Sequence, residues 1–88
     1  MGRCVRIRVT RGGCRSGFHS EGEEYLIRDE ATRCPPLCME LWHCAYPYVW
    51  ALLNGAELDT PDGGKSRTAE VACPDGGRVR LHIEAREE

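Results

Sequence analysis

"RCPPLCMELWHCAYPYVWALLNG", residues 33–55, decides the fold of this 88-residue chain. At about 100° per residue, its apolar side chains fall on one continuous arc of about 160°, which is typical of an amphipathic helix. That arc holds Tyr48, Leu41, Leu52, Ala45, Cys38, Val49, Trp42, Leu53 and Tyr46. Met39 and Trp50 widen it to about 200°. We predict one helix over residues 37–54 with an unusually wide apolar face.

Both ends of this helix carry residues typical of helix boundaries. Pro35–Pro36 suits the first turn, because a backbone N–H there has no intrahelical partner to lose. Asn54–Gly55 suits a left-handed stop. Inside the helix, Pro47 removes one hydrogen bond and crowds the carbonyl of His43. We predict a kink at Pro47, with a break into two short helices at 46–47 as the alternative.

The flanking segments predict four strands. Residues 4–10 alternate strictly between apolar and polar side chains, which is typical of a half-buried strand. Residues 23–28 predict a second short strand, and residues 68–85 predict a hairpin around the turn at 74–77. The order β-β-α-β-β indicates the α+β class: a four-stranded antiparallel or mixed sheet covered on one face by the single kinked helix.

The length of the chain predicts a single domain, residues 1–88, with a thin core. Residues 12–22 are rich in glycine, serine and charge, and we expect them to form a mobile loop. Residues 56–67 are equally rich in turn residues and predict a second loop between the helix and the hairpin.

The charge balance excludes no ligand but disfavours polyanions. Twelve Lys and Arg stand against fourteen Asp and Glu, a net charge of −2. With this net charge the protein has no overall positive potential to attract nucleic acid or an acidic membrane, so we expect neither as a partner. No apolar run suits an export signal or a bilayer span, so we expect a soluble, cytoplasmic protein. The six cysteines are then mostly reduced, with disulfides as the alternative.

Several segments in the last two thirds of the chain resemble a family of short prokaryotic proteins. The similarity runs from Pro36 through "LC", Trp42, "YPYV" and Leu52 to "NGAE", and on through "ACPDGGRVRLHIEA". Members carry a proline-glycine-apolar-cysteine helix start, an alanine-tryptophan pair, the "YPYV" segment and a late cysteine followed by "DG". This chain has Pro36 in place of the glycine and Leu41 in place of the alanine. The resemblance implies a shared small fold and, having no established activity behind it, supplies no catalytic residue.

Three cysteines are candidates for thiol chemistry. Cys38 falls at the start of the helix, where the helix dipole promotes thiol reactivity, but it also lies in the middle of the apolar arc, where burial suppresses it. We favour an inert, buried Cys38 that packs like a small apolar side chain. The alternative is a redox or nucleophilic thiol at Cys38, with Cys34 or Cys73 as its resolving partner.

A metal site would need four converging ligands. Three ligands could come from the set Cys34, Cys38, Cys44, Cys73 and His43. The fourth ligand would have to be His19, Cys14 or Cys4. Structural zinc sites use paired ligands at CxxC-like spacing, which this chain lacks. Cys38 and Cys44 also diverge by about 120° on a helix. We therefore predict no metal and no other cofactor.

His43 and Cys44 are adjacent, which does not make them a catalytic pair. Neighbouring helical residues point about 100° apart, so the imidazole and the thiol diverge. Both lie on the polar side of the predicted helix. We expect a solvated histidine and a peripheral thiol.

A basic cluster is predicted on the sheet face turned away from the helix. If the first and last strands are neighbours, it consists of Arg6, Arg8, Arg78, Arg80 and His82. Such a cluster can hold a phosphate or carboxylate through paired charged hydrogen bonds. Glu70 and Glu84 share this face, however, and favour a solvated surface with cross-strand ion pairs.

One sheet face covers only part of the wide apolar arc, which leaves an aromatic edge exposed. This edge consists of Met39, Trp42, Tyr46 and Trp50. The loop at 12–22, a second subunit or an apolar ligand are the candidates to cover it. We predict a homodimer, because a short chain gains much by burying an apolar strip against its own copy.

Three functions remain open from the sequence. The leading interpretation is a non-catalytic binding or accessory protein that is oligomeric. The second is the thiol-dependent protein using Cys38. The third is a small enzyme with its active site at a subunit interface, where His43, Cys44 and Tyr46 would meet residues of another chain. No nucleotide-binding loop or serine-nucleophile motif is present in the chain.

Overall fold

The computed structural model describes residues 3–13, 17–28, 36–74 and 76–87. The strands are β1 (Arg3–Arg11), β2 (Glu24–Arg28), β3 (Leu58–Asp59), β4 (Lys65–Ser66), β5 (Thr68–Ala72) and β6 (Arg80–Glu87), and the helix is α1 (Met39–Leu53). Four strands form an antiparallel sheet in the order β2-β1-β6-β5. The predicted α+β class, with one helix on a four-stranded sheet, is confirmed.

The core lies between α1 and the inner face of the sheet, the face on which the helix packs. The helix contributes Leu41, Ala45, Val49 and Leu52, all of which are buried. The sheet contributes alternate residues of its strands, as the period of two requires: Val5, Ile7, Val9, Ile27, Val71, Leu81 and Ile83. Since β1 and β6 are the central strands, their apolar rows lie side by side under the helix.

The helix ends as predicted but begins later than predicted. Asn54 and Gly55 close it in a Schellman arrangement: the Gly55 N–H donates to the Leu52 carbonyl at 3.1 Å, and the Ala56 N–H donates to the Ala51 carbonyl at 3.0 Å. Gly55 adopts the positive φ of 86° that this arrangement demands. At the other end the helix starts at Met39, so Pro36 precedes the first turn and does not belong to it.

Pro47 lies inside a continuous helix. The helix runs from Met39 to Leu53 without interruption, which excludes the break at 46–47. Pro47 is exposed, so the carbonyl it leaves without a partner four residues earlier can face water. The kink itself stays a prediction.

The segment expected to be a plain loop, 56–67, contains a small hairpin. Strands β3 and β4 pair in antiparallel register around a turn at 60–64. The Thr60 N–H donates to the Gly64 carbonyl, and Gly63 supplies a φ of 87°. The ion pair between Lys65 and Asp59 lies across the two strands. Strands of two residues are too short to show a periodicity, which is why the sequence pattern missed them.

Candidate functional site

A row of mostly exposed side chains runs along α1, to one side of its core face. Its members, here called the seam, are Met39, His43, Tyr46, Trp50 and Leu53. Met39, Tyr46 and Trp50 are 83%, 48% and 57% exposed, and Leu53 is half-buried. The seam is the aromatic edge predicted from the sequence, with His43 and Leu53 added. Trp42, the fourth residue of that edge, is half-buried and packs its ring on Tyr46, the centroids lying 5.5 Å apart.

The spacing of the seam is that of a helix that packs on another helix. Its residues follow each other at intervals of four, three, four and three, which is the a/d repeat of a coiled coil. The core face of α1 uses a different set of positions, so α1 carries two apolar faces. Within the described residues, α1 is the only helix, and no second helix of this chain covers the seam there.

The start of α1 is held by a buried histidine. His19 is only 5% exposed, and its Nε2 accepts the backbone N–H of Cys38 at 3.2 Å. Its Nδ1 lies 3.1 Å from Glu23 Oε1, and the Tyr25 hydroxyl donates to the same oxygen at 3.0 Å. We call these four residues the helix anchor. The anchor joins the segment before β2 to the residue at which α1 begins, since Cys38 is the N-cap.

The hydrogen bonds of the anchor assign the protonation of His19. A backbone N–H can only donate, so Nε2 of His19 has to be the unprotonated, accepting nitrogen. The single proton of the neutral ring then lies on Nδ1 and is donated to the Glu23 carboxylate. No lone pair of His19 is left for the Cys38 thiol, so this histidine cannot serve as its base in this arrangement.

The same contacts set the ionisation of the two acidic members of the anchor. The hydrogen bonds from His19 and then Tyr25 hold the pKa of Glu23 below its ordinary value. Partial burial, and then the neighbouring Glu23, raise the pKa of the Tyr25 hydroxyl. Near neutral pH the anchor therefore contains a charged Glu23 and an uncharged Tyr25, each in the form that its hydrogen bonds require.

Glu23 should make the stability of the protein depend on pH in acid. A carboxylate whose pKa is lowered by folding stabilises the folded state above its unfolded pKa, and this stabilisation is lost as the pH falls through the folded pKa. We expect the free energy of unfolding to decrease as the pH falls below about 5. Urea denaturation at a series of pH values measures this decrease.

Two variants separate Glu23 from the other carboxylates. Glu23→Gln should flatten the pH dependence over that range, because the amide does not titrate. Glu57→Gln removes an exposed carboxylate away from the anchor and should leave the dependence as in the wild type. Equal slopes in the wild type and in Glu23→Gln would contradict the assignment.

Two of the three thiol candidates lie within the described residues, and both are half-buried. Cys38 is half-buried and packs partly against the core, and its side chain makes no capping hydrogen bond. Cys73 is half-buried and packs partly against the core just after β5. Cys34 lies outside the described residues, as does Cys14. A Cys34–Cys38 pair therefore falls outside the described residues, and the thiol function stays a prediction.

His43 and Cys44 line a shallow groove between α1 and the edge strand β5. The groove has a volume of about 460 Å³ and is completed by Pro47, Tyr48 and residues 70–72. His43 is exposed, as expected, but Cys44 is half-buried and packs partly against the core, so it is less peripheral than predicted. Tyr48, placed on the apolar arc by the sequence, is 43% exposed at this rim.

Four members of the predicted basic cluster lie on the outer face of the sheet, the face turned away from α1. Arg6 is paired with Glu84 at 2.9 Å and with Glu24 at 3.7 Å. His82 Nδ1 lies 2.6 Å from Glu70 Oε1. The Arg6–Glu84 and His82–Glu70 contacts are the cross-strand pairs expected from the sequence. Arg8, Arg78 and Arg80 are exposed, and Arg78 lies in the connection before β6 rather than on the strand.

Two further features of the described residues bear on ligands. Among them, no group of three or more His, Cys, Asp or Glu side chains is arranged to hold a metal ion. Nor is any helix in this part of the chain both long and apolar enough to cross a membrane.

The sequence did not predict that His19 and Glu23 hold the start of α1. His19 entered only as a remote metal ligand, since it lies in a segment whose composition indicates a loop. Its burial depends on Cys38, which is 19 positions away, and no local pattern reports such a contact. The predicted mobility of residues 12–22 stays a prediction.

Comparison with known proteins finds no matching family model, no matching curated protein and no matching solved structure. The resemblance noted in the sequence therefore stays a prediction, and no residue takes a role from it. Any function has to be argued from the surfaces described above.

Proposed function

We propose that this protein is a small binding protein that acts as a homodimer, with the seam of α1 as its self-association surface. The observation that carries the proposal is the coincidence of exposure and spacing: Met39, Tyr46 and Trp50 are exposed apolar side chains at a/d positions of α1. The exposed His43 and the half-buried Leu53 occupy the remaining positions of this repeat. Isolated exposed apolar residues are ordinary, but a contiguous row with this spacing is typical of a helix–helix contact.

The area of the seam is close to what a small interface needs. The exposed parts of Met39, Tyr46 and Trp50 together present roughly 400 Å². A small specific interface buries about 1,200 Å² in total, or about 600 Å² from each partner. Leu53, Trp42 and His43 border the three large side chains and supply much of the remainder.

A second copy of this chain suits the seam by symmetry. In an antiparallel two-fold pair centred on Tyr46, each tyrosine meets the tyrosine of the second copy, and Met39 of one copy meets Leu53 of the other. His43 then lies next to Trp50 of the second copy. The antiparallel arrangement also sets opposite ends of the two helix dipoles side by side. The seam itself carries no acidic or basic residue other than His43, so no like charges are brought together.

The compartment we propose is the cytoplasm. Cys4, Cys38 and Cys44 carry free thiols, which supports a reducing environment. The net charge of −2 supports a small ligand or protein as the partner of the dimer rather than nucleic acid. No catalytic set is assigned in this proposal.

Sedimentation analysis over a range of concentrations tests the proposal. We expect a monomer–dimer equilibrium with a dissociation constant of about 1–100 µM, as suits a small interface. Trp50→Glu removes a central aromatic contact and adds a charge, so it should weaken the dimer by about 30-fold or more. Circular dichroism should show that the variant keeps its fold, because Trp50 is largely exposed.

Leu26→Glu is the matched control. Leu26 is 51% exposed, similar to Trp50, but lies on β2 opposite Arg6, on the outer face of the sheet. This substitution should leave the dimer unchanged. A wild-type protein that stays monomeric at about 1 mM would overturn the proposal, and so would a dimer that Leu26→Glu disrupts and Trp50→Glu does not.

A further inference from the structure

We propose that Arg8, Arg11 and Arg80 form a binding site for a phosphate group at one end of the outer face of the sheet. The site names a ligand class for the binding protein proposed above, and its geometry lies within one chain, so it does not require the dimer. Arg11 was not among the basic residues selected from the sequence. It joins the site because of an irregularity in the pairing of β1 with β6.

The irregularity is a β-bulge at Thr10. The strands β1 and β6 pair without a break from Arg3 with Glu87 to Val9 with Leu81, and the next pair is Arg11 with Arg80. Thr10 is the extra residue, and its hydroxyl donates to the Arg80 carbonyl at 3.2 Å. In regular alternation Arg11 would share the inner face with Val9. The bulge instead sets it opposite Arg80, a residue of the outer face.

The bulge thus brings Arg11 to Arg80. Glu24, the residue opposite Arg8 on β2, has its carboxylate 3.7 Å from Arg6. Arg6 and His82, on the same face, each have a glutamate partner. Arg8, Arg11 and Arg80 are exposed, and over residues 3–13, 17–28, 36–74 and 76–87 they form no ion pair. Like charges directly opposite one another destabilise a sheet. An anion between Arg11 and Arg80 removes this repulsion.

A depression next to Arg80 offers room for the ligand, although Arg8 and Arg11 are not among its lining residues. It has a volume of about 320 Å³ and is lined by Thr10, Arg80 and residues 70–72 of the edge strand β5. Arg8 lies opposite His82 on β6, which makes it the diagonal neighbour of Arg80. The acidic side chain at this depression is Glu70, whose Oε1 is engaged by His82 at 2.6 Å.

The chemistry of arginine selects the class of ligand. A guanidinium group donates two parallel hydrogen bonds to an oxyanion, and a tetrahedral phosphate can accept from several guanidinium groups at once. The open depression and the small number of cations suit a single phosphate group, either free or as a small monoester. A nucleic acid needs an extended basic surface, which a chain with a net charge of −2 does not favour.

Titration of the wild-type protein with inorganic phosphate, and separately with phenyl phosphate, tests the site by amide NMR in about 20 mM salt, where screening is weak. We expect saturable shifts centred on Thr10, Arg11 and Arg80. Tighter binding of phenyl phosphate would assign the site to a monoester, and equal binding would assign it to the phosphate group alone. Absence of saturable shifts with both probes would overturn the proposal.

Variants then decide whether the arginines are responsible. Arg11→Gln and Arg80→Gln should each weaken binding by about tenfold. Lys65→Gln makes the same change of charge on the β3–β4 hairpin and should leave binding as in the wild type. Equal losses of phosphate affinity in Arg80→Gln and Lys65→Gln would show that net charge alone causes the effect. That result would overturn the site. Tight binding of a single-stranded oligonucleotide that depends on Arg80 would overturn the assignment to a small ligand.

Sedimentation of Arg80→Gln separates this inference from the dimer. The variant should dimerise like the wild type, because Arg80 lies on the sheet face opposite α1. A phosphate site that fails while the dimer persists rejects only the ligand class. A dimer that fails while phosphate still binds rejects only the self-association surface.

Discussion

Leu52→Ala is expected to lower the free energy of unfolding by about 2–5 kcal/mol. Leu52 is fully buried between α1 and the inner face of the sheet, so alanine leaves a cavity that the surrounding side chains fill only in part. A domain of this size has a total stability of only about 5–10 kcal/mol. The variant should therefore lose a large share of its stability. Urea denaturation followed by circular dichroism measures the change.

Leu26→Ala provides the comparison for Leu52→Ala. The chemical change is the same, but Leu26 is half exposed on the edge strand β2, so its substitution should cost less than about 1 kcal/mol. Similar losses for the two variants would show that α1 does not pack on the sheet through Leu52. The seam could then no longer be assigned to a side of the helix separate from the core face.

His19→Ala is expected to destabilise the protein by about 2–4 kcal/mol. The substitution removes the acceptor of the Cys38 N–H and the donor to Glu23, and it leaves a cavity where a buried ring was. The loss of the acceptor at the N-cap should loosen the first turn of α1. Hydrogen exchange should therefore accelerate at the start of the helix more than in β6.

Two other histidine variants show whether hydrogen bonding or volume is responsible. His19→Phe keeps an aromatic ring but none of the hydrogen bonds, and should remain clearly less stable than the wild type. His43→Ala removes an exposed histidine and should change stability by less than about 0.5 kcal/mol. If His19→Phe were as stable as the wild type, the anchor would stabilise the protein by packing alone and not by its hydrogen bonds.

The parts of the fold that follow a periodic pattern were predictable. Strand β1 shows the alternation of Val5, Ile7 and Val9, and α1 shows a continuous apolar arc, because a buried face repeats with the geometry of its own element. The exposed edge of α1 was also predictable, since one small sheet cannot cover an arc of about 200°. These predictions depend only on residues that are close together in the sequence.

The parts of the candidate sites that were missed depend on contacts between distant residues. His19 becomes an anchor only because Cys38 is brought to it, and Arg11 reaches the outer face only through a bulge against Arg80, on a strand near the other end of the chain. The sequence placed Tyr48 on the apolar arc of the helix, but the sheet ends at β5 and leaves this side chain exposed.

The sequence by itself determined which segments form the helix and the main strands, and which side of each is apolar, because local sterics and hydrophobic periodicity act within a few residues. Tertiary structure decided the polar contacts that no pattern indicates. It joined His19 to the start of α1 and set Arg11 opposite Arg80. The physical reason is that hydrogen bonds and ion pairs are short-ranged and directional, so they depend on the register of strands and not on composition.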